Sequence, residues 1–82
     1  MPIRRKKYYK DEDYLAKIGS KIRKLRKKKR ITLEDLAFAC NDIDYAYINR
    51  IELGKVNFSI SYLKLIAEKL EVSTTDLINF DD

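Results

Sequence analysis

Four side chains near the middle of the chain have the types and the spacing to read the edges of nucleic-acid bases. They fall at positions i, i+1, i+4 and i+5 of one helical face: Tyr45, Ala46, Asn49 and Arg50. Arginine can donate two parallel hydrogen bonds to guanine, asparagine can pair in the same way with adenine, and a small methyl can contact thymine. Ile48 and Ile51 fall on the opposite face, where a core would bury them. The segment therefore predicts a helix that the major groove of DNA would accept.

Two short helices joined by a tight turn are predicted for residues 32–54, and they would position these four side chains. Thr32 can cap the first helix, with a carboxylate three residues later to return the bond. Asn41 tolerates the left-handed backbone that commonly ends a helix. Either Asp42 or Asp44 can cap the second helix, and both alternatives remain open from the sequence.

Apolar periodicity predicts three further helices and no strand. Helix one runs from about Asp13 to Lys29, and Ser59 can cap a fourth helix. Ser73 and Asp76 form a capping-box pattern for a short fifth helix. Several apolar residues line the inner faces of these three helices: Leu15, Ile18, Ile22 and Leu25, then Leu63, Ile66, Ala67 and Leu70, then Leu77, Ile78 and Phe80. The predicted fold class is all-α, with five helices around a central helix-turn-helix.

The composition indicates one small helical domain and excludes several kinds of function. The chain has 82 residues, of which 45% are hydrophobic, with two glycines and one proline. No apolar run approaches the roughly 18 residues of a membrane span and no signal-peptide pattern is present, which predicts a cytoplasmic protein without a membrane partner. With no histidine and a single cysteine, Cys40, neither a metal site nor a cofactor is expected. No catalytic constellation can be assembled and no small-molecule effector is evident, so an enzyme is not expected.

The charge is divided unevenly along the chain. Residues 1–30 hold 14 Lys or Arg and 3 Asp or Glu, a net charge of +11, whereas residues 31–82 hold 4 and 10, a net charge of −6. Residues 1–12 are predicted to form a flexible basic arm that precedes a domain of residues 13–82. A basic front end favours an anionic partner such as nucleic acid, although a solubilising tail would have the same composition.

Residues across most of the chain follow an order typical of one protein family. The relevant segments are Ile22-Arg23-Lys24-Leu25-Arg26, Thr32, Glu34-Asp35-Leu36-Ala37, Tyr47-Ile48-Asn49-Arg50-Ile51-Glu52, Gly54-Lys55, Asn57, Ser59, Leu63 through Leu70, and Val72 through Leu77. This set, which covers about residues 18–77, resembles the Xre/Cro-type helix-turn-helix family, the lambda-repressor-like DNA-binding domain. The resemblance implies that helix three enters the major groove of double-stranded DNA with its outward face towards the bases.

The resemblance also implies roles for residues outside that face. Contacts to the DNA backbone, which position a protein without reading sequence, are implied for Thr32, Tyr47, Lys55, Asn57, Ser59 and Ser61. Arg26 and Glu52 resemble the arginine and glutamate that pair across helices one and three in relatives, a structural ion pair. Two departures stand out: Leu33 replaces a glutamine that contacts phosphate in many relatives, and Ile48 lies eleven positions after Ala37 instead of ten. The turn therefore carries one extra residue, most simply Asp42 or its neighbour.

The function expected from the sequence is that of a small stand-alone, sequence-specific transcriptional regulator. Such a protein is expected to act as a homodimer on a palindromic operator, with Leu77, Ile78 and Phe80 as dimerisation candidates that could equally complete the core. Controllers of restriction–modification operons and repressors of phage or mobile elements are both members of this type. The alternative is an antitoxin-type module that binds a partner protein and autoregulates its operon. Binding of RNA or a membrane surface through residues 1–30 would leave the helix-turn-helix spacing unexplained.

Overall fold

Five α-helices make up the part of the chain that the computed structural model describes, residues 9–81. Their bounds are α1 (Glu12–Lys28), α2 (Leu33–Ala39), α3 (Tyr45–Glu52), α4 (Ile60–Lys69) and α5 (Thr74–Leu77). No strand occurs between residues 9 and 81, so the all-α prediction is confirmed. None of the helices in this range is long and apolar enough to cross a membrane.

Each helix begins at a side chain that accepts a hydrogen bond from the first turn. The acceptors and their distances to the backbone nitrogen are Asp11 to Tyr14 at 3.0 Å, Thr32 to Asp35 at 3.0 Å, Asp44 to Ala46 at 3.1 Å, Ser59 to Tyr62 at 3.1 Å and Ser73 to Asp76 at 3.1 Å. Of the two carboxylates that the sequence left open for α3, Asp44 is therefore the cap. Because Asp11 caps α1, that helix begins at Glu12, one residue before the expected domain boundary.

Each of the first four helices is followed within two residues by a residue with left-handed backbone. Arg30, Asn41, Gly54 and Glu71 have φ of 59°, 62°, 73° and 60°. After α1, α3 and α4 the next amide donates back to the carbonyl of the last turn, as in a Schellman motif. After α2 the amide that follows Asn41, Asp42 N, donates to Phe38 O at 3.0 Å, and the bond that closes the turn comes one residue later, from Ile43 N to Ala37 O at 3.0 Å. Asp42, also left-handed with φ 56°, is the residue interposed, which accounts for the extra position in the turn.

The hydrophobic core lies between α3 and the helices around it. Helix α3 packs against α1 and α2, while α5 packs against α1 and α4 and α2 also contacts α4. The side chains with at most 1% of their surface exposed come from all five helices and the residues that end them: Ile22, Leu36, Cys40, Ile48, Ile51, Ile66, Leu70 and Leu77. The inward positions predicted for α3 and α4 are buried as expected. Burial raises the pKa of the Cys40 thiol, as expected for a small buried hydrophobe.

The C-terminal residues suggested for dimerisation do not share one environment. Leu77 is 0% exposed and belongs to the chain's own core, so of the two roles left open for it, completion of the core is the one that the structure supports. The fifth helix also ends at Leu77 and does not continue to Phe80. Ile78 is 39% exposed, whereas Phe80 is partly buried with its ring edge-on to Tyr14 at 5.6 Å. Only Ile78 therefore presents a substantial apolar surface there.

Candidate nucleic-acid interface

Helix α3 presents a polar face to solvent because its other face is committed to the core. Ile48 and Ile51 are fully buried, and Glu52 at the end of the helix is also buried. On the opposite side Tyr45 is 51% exposed, and Asn49 and Arg50 are exposed. The fourth predicted base reader, Ala46, is partly buried. The structure therefore brings the four residues onto one accessible face of one helix, with Arg50 carrying its only positive charge.

Arg50 is held over an aromatic ring of its own helix. Its guanidinium carbon lies 5.6 Å from the ring centroid of Tyr47, one turn before it, within the range of a cation–π interaction. The Tyr47 ring in turn lies 5.9 Å from the ring of Tyr62 on α4, at an interplanar angle of 57°. Both tyrosines are partly buried. Sequence reasoning missed Tyr62, because no local pattern indicates a contact between residues fifteen positions apart on different helices.

A buried ion pair fixes the C-terminal end of α3 to α1. Arg26 Nε donates to Glu52 Oε2 at 2.7 Å and Arg26 Nη2 to Glu52 Oε1 at 3.1 Å, the bidentate geometry of an arginine–carboxylate pair. Arg26 Nη1 also donates to Ile31 O at 2.7 Å. The two residues are only 7% and 5% exposed. The pair that the resemblance implied thus links the helix with the polar face to the long first helix.

Two glycines allow α1 to approach the end of α3 closely. A Cβ atom on Gly19 would collide with the carbonyl oxygens of Ile51 and Glu52, the second at 2.5 Å. Gly54, which follows α3 with φ +73°, would place a Cβ 2.6 Å from the Ala16 Cα. Both contacts are with backbone atoms, which cannot move aside without displacing a helix. The orientation of α3 relative to α1 is therefore set by these close contacts together with the ion pair.

The residues implied for contact with the DNA backbone lie in or next to α2, α3 and the start of α4. Thr32 and Ser59 are exposed caps of α2 and α4, at the positive ends of those helices. Lys55 and Ser61 are also exposed, and Tyr47 lies against the ring of Tyr62. No contact joins these side chains into a single cluster among the described residues. All of them except the partly buried Tyr47 are exposed, and they lie in or beside α2, α3 and the start of α4.

The first described residues contact the loop that follows α3. Asn57 Nδ2 donates to Tyr9 O at 2.8 Å, and Lys10 Nζ donates to Lys55 O at 3.1 Å. The chain therefore reaches α1 alongside two residues implied for DNA contact. The expected flexible arm covers residues 1–12, of which residues 1–8 lie outside the described range. Residues 9–11 contact the domain or cap α1, and Glu12 is helical. The boundary between arm and domain therefore lies nearer the N-terminus than the expected residue 12.

Between residues 9 and 81, no group of three or more histidine, cysteine or acidic side chains is arranged to hold a metal ion. A guanidinium, an amide, a methyl and a phenol lie along one helix. Hydroxyls and a lysine flank that helix.

The chain matches the helix-turn-helix family model over residues 22–77. This chain belongs to that family. It is 33% identical over 67 residues to control protein C.MunI from Mycoplasma sp., covering 82% of this chain and 90% of that protein. DNA binding for the regulation of transcription is accordingly the activity of this chain.

Solved structures of relatives have the same fold. The restriction–modification controller C.Esp1396I is 39% identical with a TM-score of 0.73, and the match covers 82% of this chain and 86% of that one. The controller C.AhdI from Aeromonas hydrophila is 32% identical with a TM-score of 0.73, covering 77% and 94%. A hypothetical transcription factor from Neisseria is 25% identical with a TM-score of 0.78, covering 93% and 87%. The predicted family is therefore confirmed.

Proposed function

We propose that this protein is a controller of a restriction–modification operon that binds a palindromic operator as a homodimer. Three of the similar proteins carry the word control or controller in their names, and each match covers most of both chains. The observation that carries the proposal is the exposed polar face of α3, held in place by the buried pair of Arg26 and Glu52. Because its proposed partner is operator DNA, the protein is expected to act in the bacterial cytoplasm.

In this proposal each exposed residue of α3 contacts a different group of one operator half-site. Arg50 donates two hydrogen bonds to guanine, and Asn49 bonds adenine or a phosphate. Ala46 contacts a thymine methyl, and Tyr45 packs on sugar and phosphate. Each assignment is inferred from the functional group of the side chain; Tyr45, Asn49 and Arg50 are exposed, and Ala46 is partly buried on the same face.

The remaining polar residues position the protein on the duplex without reading sequence. They are Thr32, Tyr47, Lys55, Asn57, Ser59 and Ser61. Asn57 donates one amide hydrogen to Tyr9 O, which leaves its second amide hydrogen for a phosphate. The backbone carbonyl of Lys55 accepts a hydrogen bond from Lys10 Nζ. The side-chain ammonium of Lys55 does not take part in that bond and can contact a phosphate of the DNA backbone.

A two-fold symmetric operator is expected because a single α3 covers only one short half-site. Two copies would place their α3 helices in successive major grooves, about one helical turn apart. Ile78 is the exposed apolar candidate for the contact between copies, with Phe80 beside it.

Selection of binding sites from random DNA with the full chain tests this proposal. We expect an enriched motif with two-fold symmetry, bound by two chains in a mass measurement of the complex. Enrichment of no motif, or of an asymmetric site bound by one chain, would contradict the proposal. An antitoxin-type module would instead need a partner protein for tight binding to the selected DNA.

A further inference from the structure

Tyr62 completes a stack of three side chains that ends on the arginine proposed to read guanine. From α4 towards solvent the order is Tyr62, Tyr47 and Arg50, with 5.9 Å between the two ring centroids and 5.6 Å from the Tyr47 centroid to the guanidinium carbon. Tyr62 and Tyr47 are partly buried, whereas Arg50 is exposed. The stack therefore runs from the body of the domain to the edge of the polar face.

The stack restricts a side chain that would otherwise be free to rotate. An exposed arginine has many accessible rotamers, and the entropy lost on ordering them opposes any contact that needs one fixed orientation. A guanidinium over an aromatic face is attracted by the ring quadrupole, so part of this ordering is already complete in the free protein. The Tyr47 ring can supply a fixed surface only if it is itself supported, and Tyr62 contacts it from the neighbouring helix.

We propose that Tyr62 is a specificity-determining positioning residue, which sets the preference for guanine at the base pair that Arg50 contacts. This inference rests on the proposed function, because it assumes that Arg50 reads a base. Tyr62 acts through the ring of Tyr47 and needs no contact with the base itself. Its aromatic ring is the active part, and its hydroxyl is not required.

Two substitutions at Tyr62 separate the ring from the hydroxyl. We expect Tyr62→Leu to lower the preference for guanine over adenine at the Arg50 position by about 2- to 5-fold, the range for an exposed cation–π contact. We expect Tyr62→Phe to retain the preference. The readout is the ratio of affinities for the selected operator and for the operator with that single base pair changed. Equal losses in Tyr62→Phe and Tyr62→Leu would overturn the proposal, since the hydroxyl would then be the acting group.

A further set of variants shows whether the effect passes through Arg50. In an Arg50→Ala background, Tyr62→Leu should change the affinity ratio no further, because the guanidinium that it positions is gone. Tyr14→Leu is the matched control: it removes a tyrosine from another aromatic pair, formed with Phe80, which includes neither Tyr47 nor Arg50, and should leave the ratio unchanged. Uniform weakening by Tyr62→Leu on all DNA sequences would contradict the proposal.

The same variants distinguish this inference from the proposed function. If Arg50→Ala leaves base preference intact, the base-reading role of Arg50 fails and this inference fails with it. If Arg50→Ala relaxes the preference and Tyr62→Leu does not, the proposed function stands and the inference alone is overturned.

A measurement on the unmodified protein does not depend on the folding of any variant. In the free chain we expect the side-chain protons of Arg50 to show upfield ring-current shifts in NMR spectra, because they lie over the Tyr47 ring. Random-coil shifts for these protons would show that the guanidinium is not held before DNA binds, and would overturn the proposal.

Discussion

At the scale of single residues, the position of α3 depends most directly on Arg26 and Glu52. Both side chains are buried, and they satisfy each other through two hydrogen bonds, with a third from Arg26 to Ile31 O. Loss of either partner would leave a charge without compensation in a site from which water is excluded. The cost of such a change comes from the remaining charge more than from the lost bond.

Arg26→Ala and Glu52→Ala are each expected to lower the free energy of unfolding by about 3–5 kcal/mol and to weaken DNA binding through misplacement of α3. The double variant should lose less than the two single losses added together. Urea denaturation in a double-mutant cycle measures this coupling. Lys64→Ala is the control, because its pair with Glu68 at 2.6 Å is exposed to solvent and is expected to contribute little to stability. Additive losses at Arg26 and Glu52 would refute the pairing.

Gly19→Ala is expected to destabilise the protein by about 1–3 kcal/mol, the usual cost of overpacking. Alanine favours helices over glycine, so a helical glycine free of contacts would give a gain in stability. The added Cβ would instead meet the carbonyl oxygens of Ile51 and Glu52. Ser20→Ala, at the next and exposed position of the same helix, should be close to neutral. Thermal unfolding of both variants decides the matter, and a more stable Gly19→Ala would contradict the close approach.

At the scale of helices and turns, the unusual feature is the pair of left-handed residues between α2 and α3. Asn41 and Asp42 have φ of 62° and 56°, and Asp44 then caps α3. Two consecutive residues in this region are costly for side chains with a Cβ, although asparagine and aspartate tolerate it best. The turn fixes the angle at which α3 leaves α2, so its strain bears directly on the interface.

Asp42→Gly is expected to raise the free energy of unfolding by about 0.5–1 kcal/mol, because glycine adopts positive φ without steric cost. Asp42→Val should lower it by at least about 1 kcal/mol, because a β-branched residue is disfavoured there. The same two substitutions at exposed Asp81, which lacks a positive φ, serve as the control and should have little effect. If valine were tolerated at residue 42 as well as glycine, the left-handed backbone would be wrong.

The helices could be predicted from the sequence because their signals are local. Thr32, Ser59 and Ser73 cap the helices expected of them, since a cap needs only its own first turn. Sequence reasoning fell short where distant residues decide the outcome. Leu77 is drawn into the core by packing among helices, and Tyr62 meets Tyr47 only after α3 and α4 are assembled. The inward and outward faces of α3 were predictable because helical spacing alone separates them.

At the scale of the whole molecule, positive charge is concentrated before and within α1. Residues 1–30 have a net charge of +11 and the rest of the chain has −6. The chain enters the described range at Tyr9 and Lys10, which contact Asn57 and Lys55 after α3. The basic residues that precede Tyr9 are therefore joined to the domain next to the proposed DNA contacts.

Deletion of residues 1–8 is expected to weaken binding to all DNA sequences to a similar extent and to leave the fold intact. This segment contains Arg4, Arg5, Lys6 and Lys7. Each phosphate contact that is lost should reduce the slope of log affinity against log salt concentration by roughly one unit. Titrations of both forms at several salt concentrations provide the slopes. Equal slopes would make the segment a solubilising tail, and a changed base preference would mean that it reads bases.

The central claim is that α3 reads the operator through its exposed face, and the affinity of Arg50→Ala for DNA tests it most directly. The affinity of the full-length variant is measured for the selected operator and for operators changed at single base pairs, with Lys64→Ala as the control. We predict a loss of about 1–3 kcal/mol for Arg50→Ala and a relaxed preference at one base pair in each half-site. Unchanged affinity together with an unchanged preference at every base pair would contradict the claim.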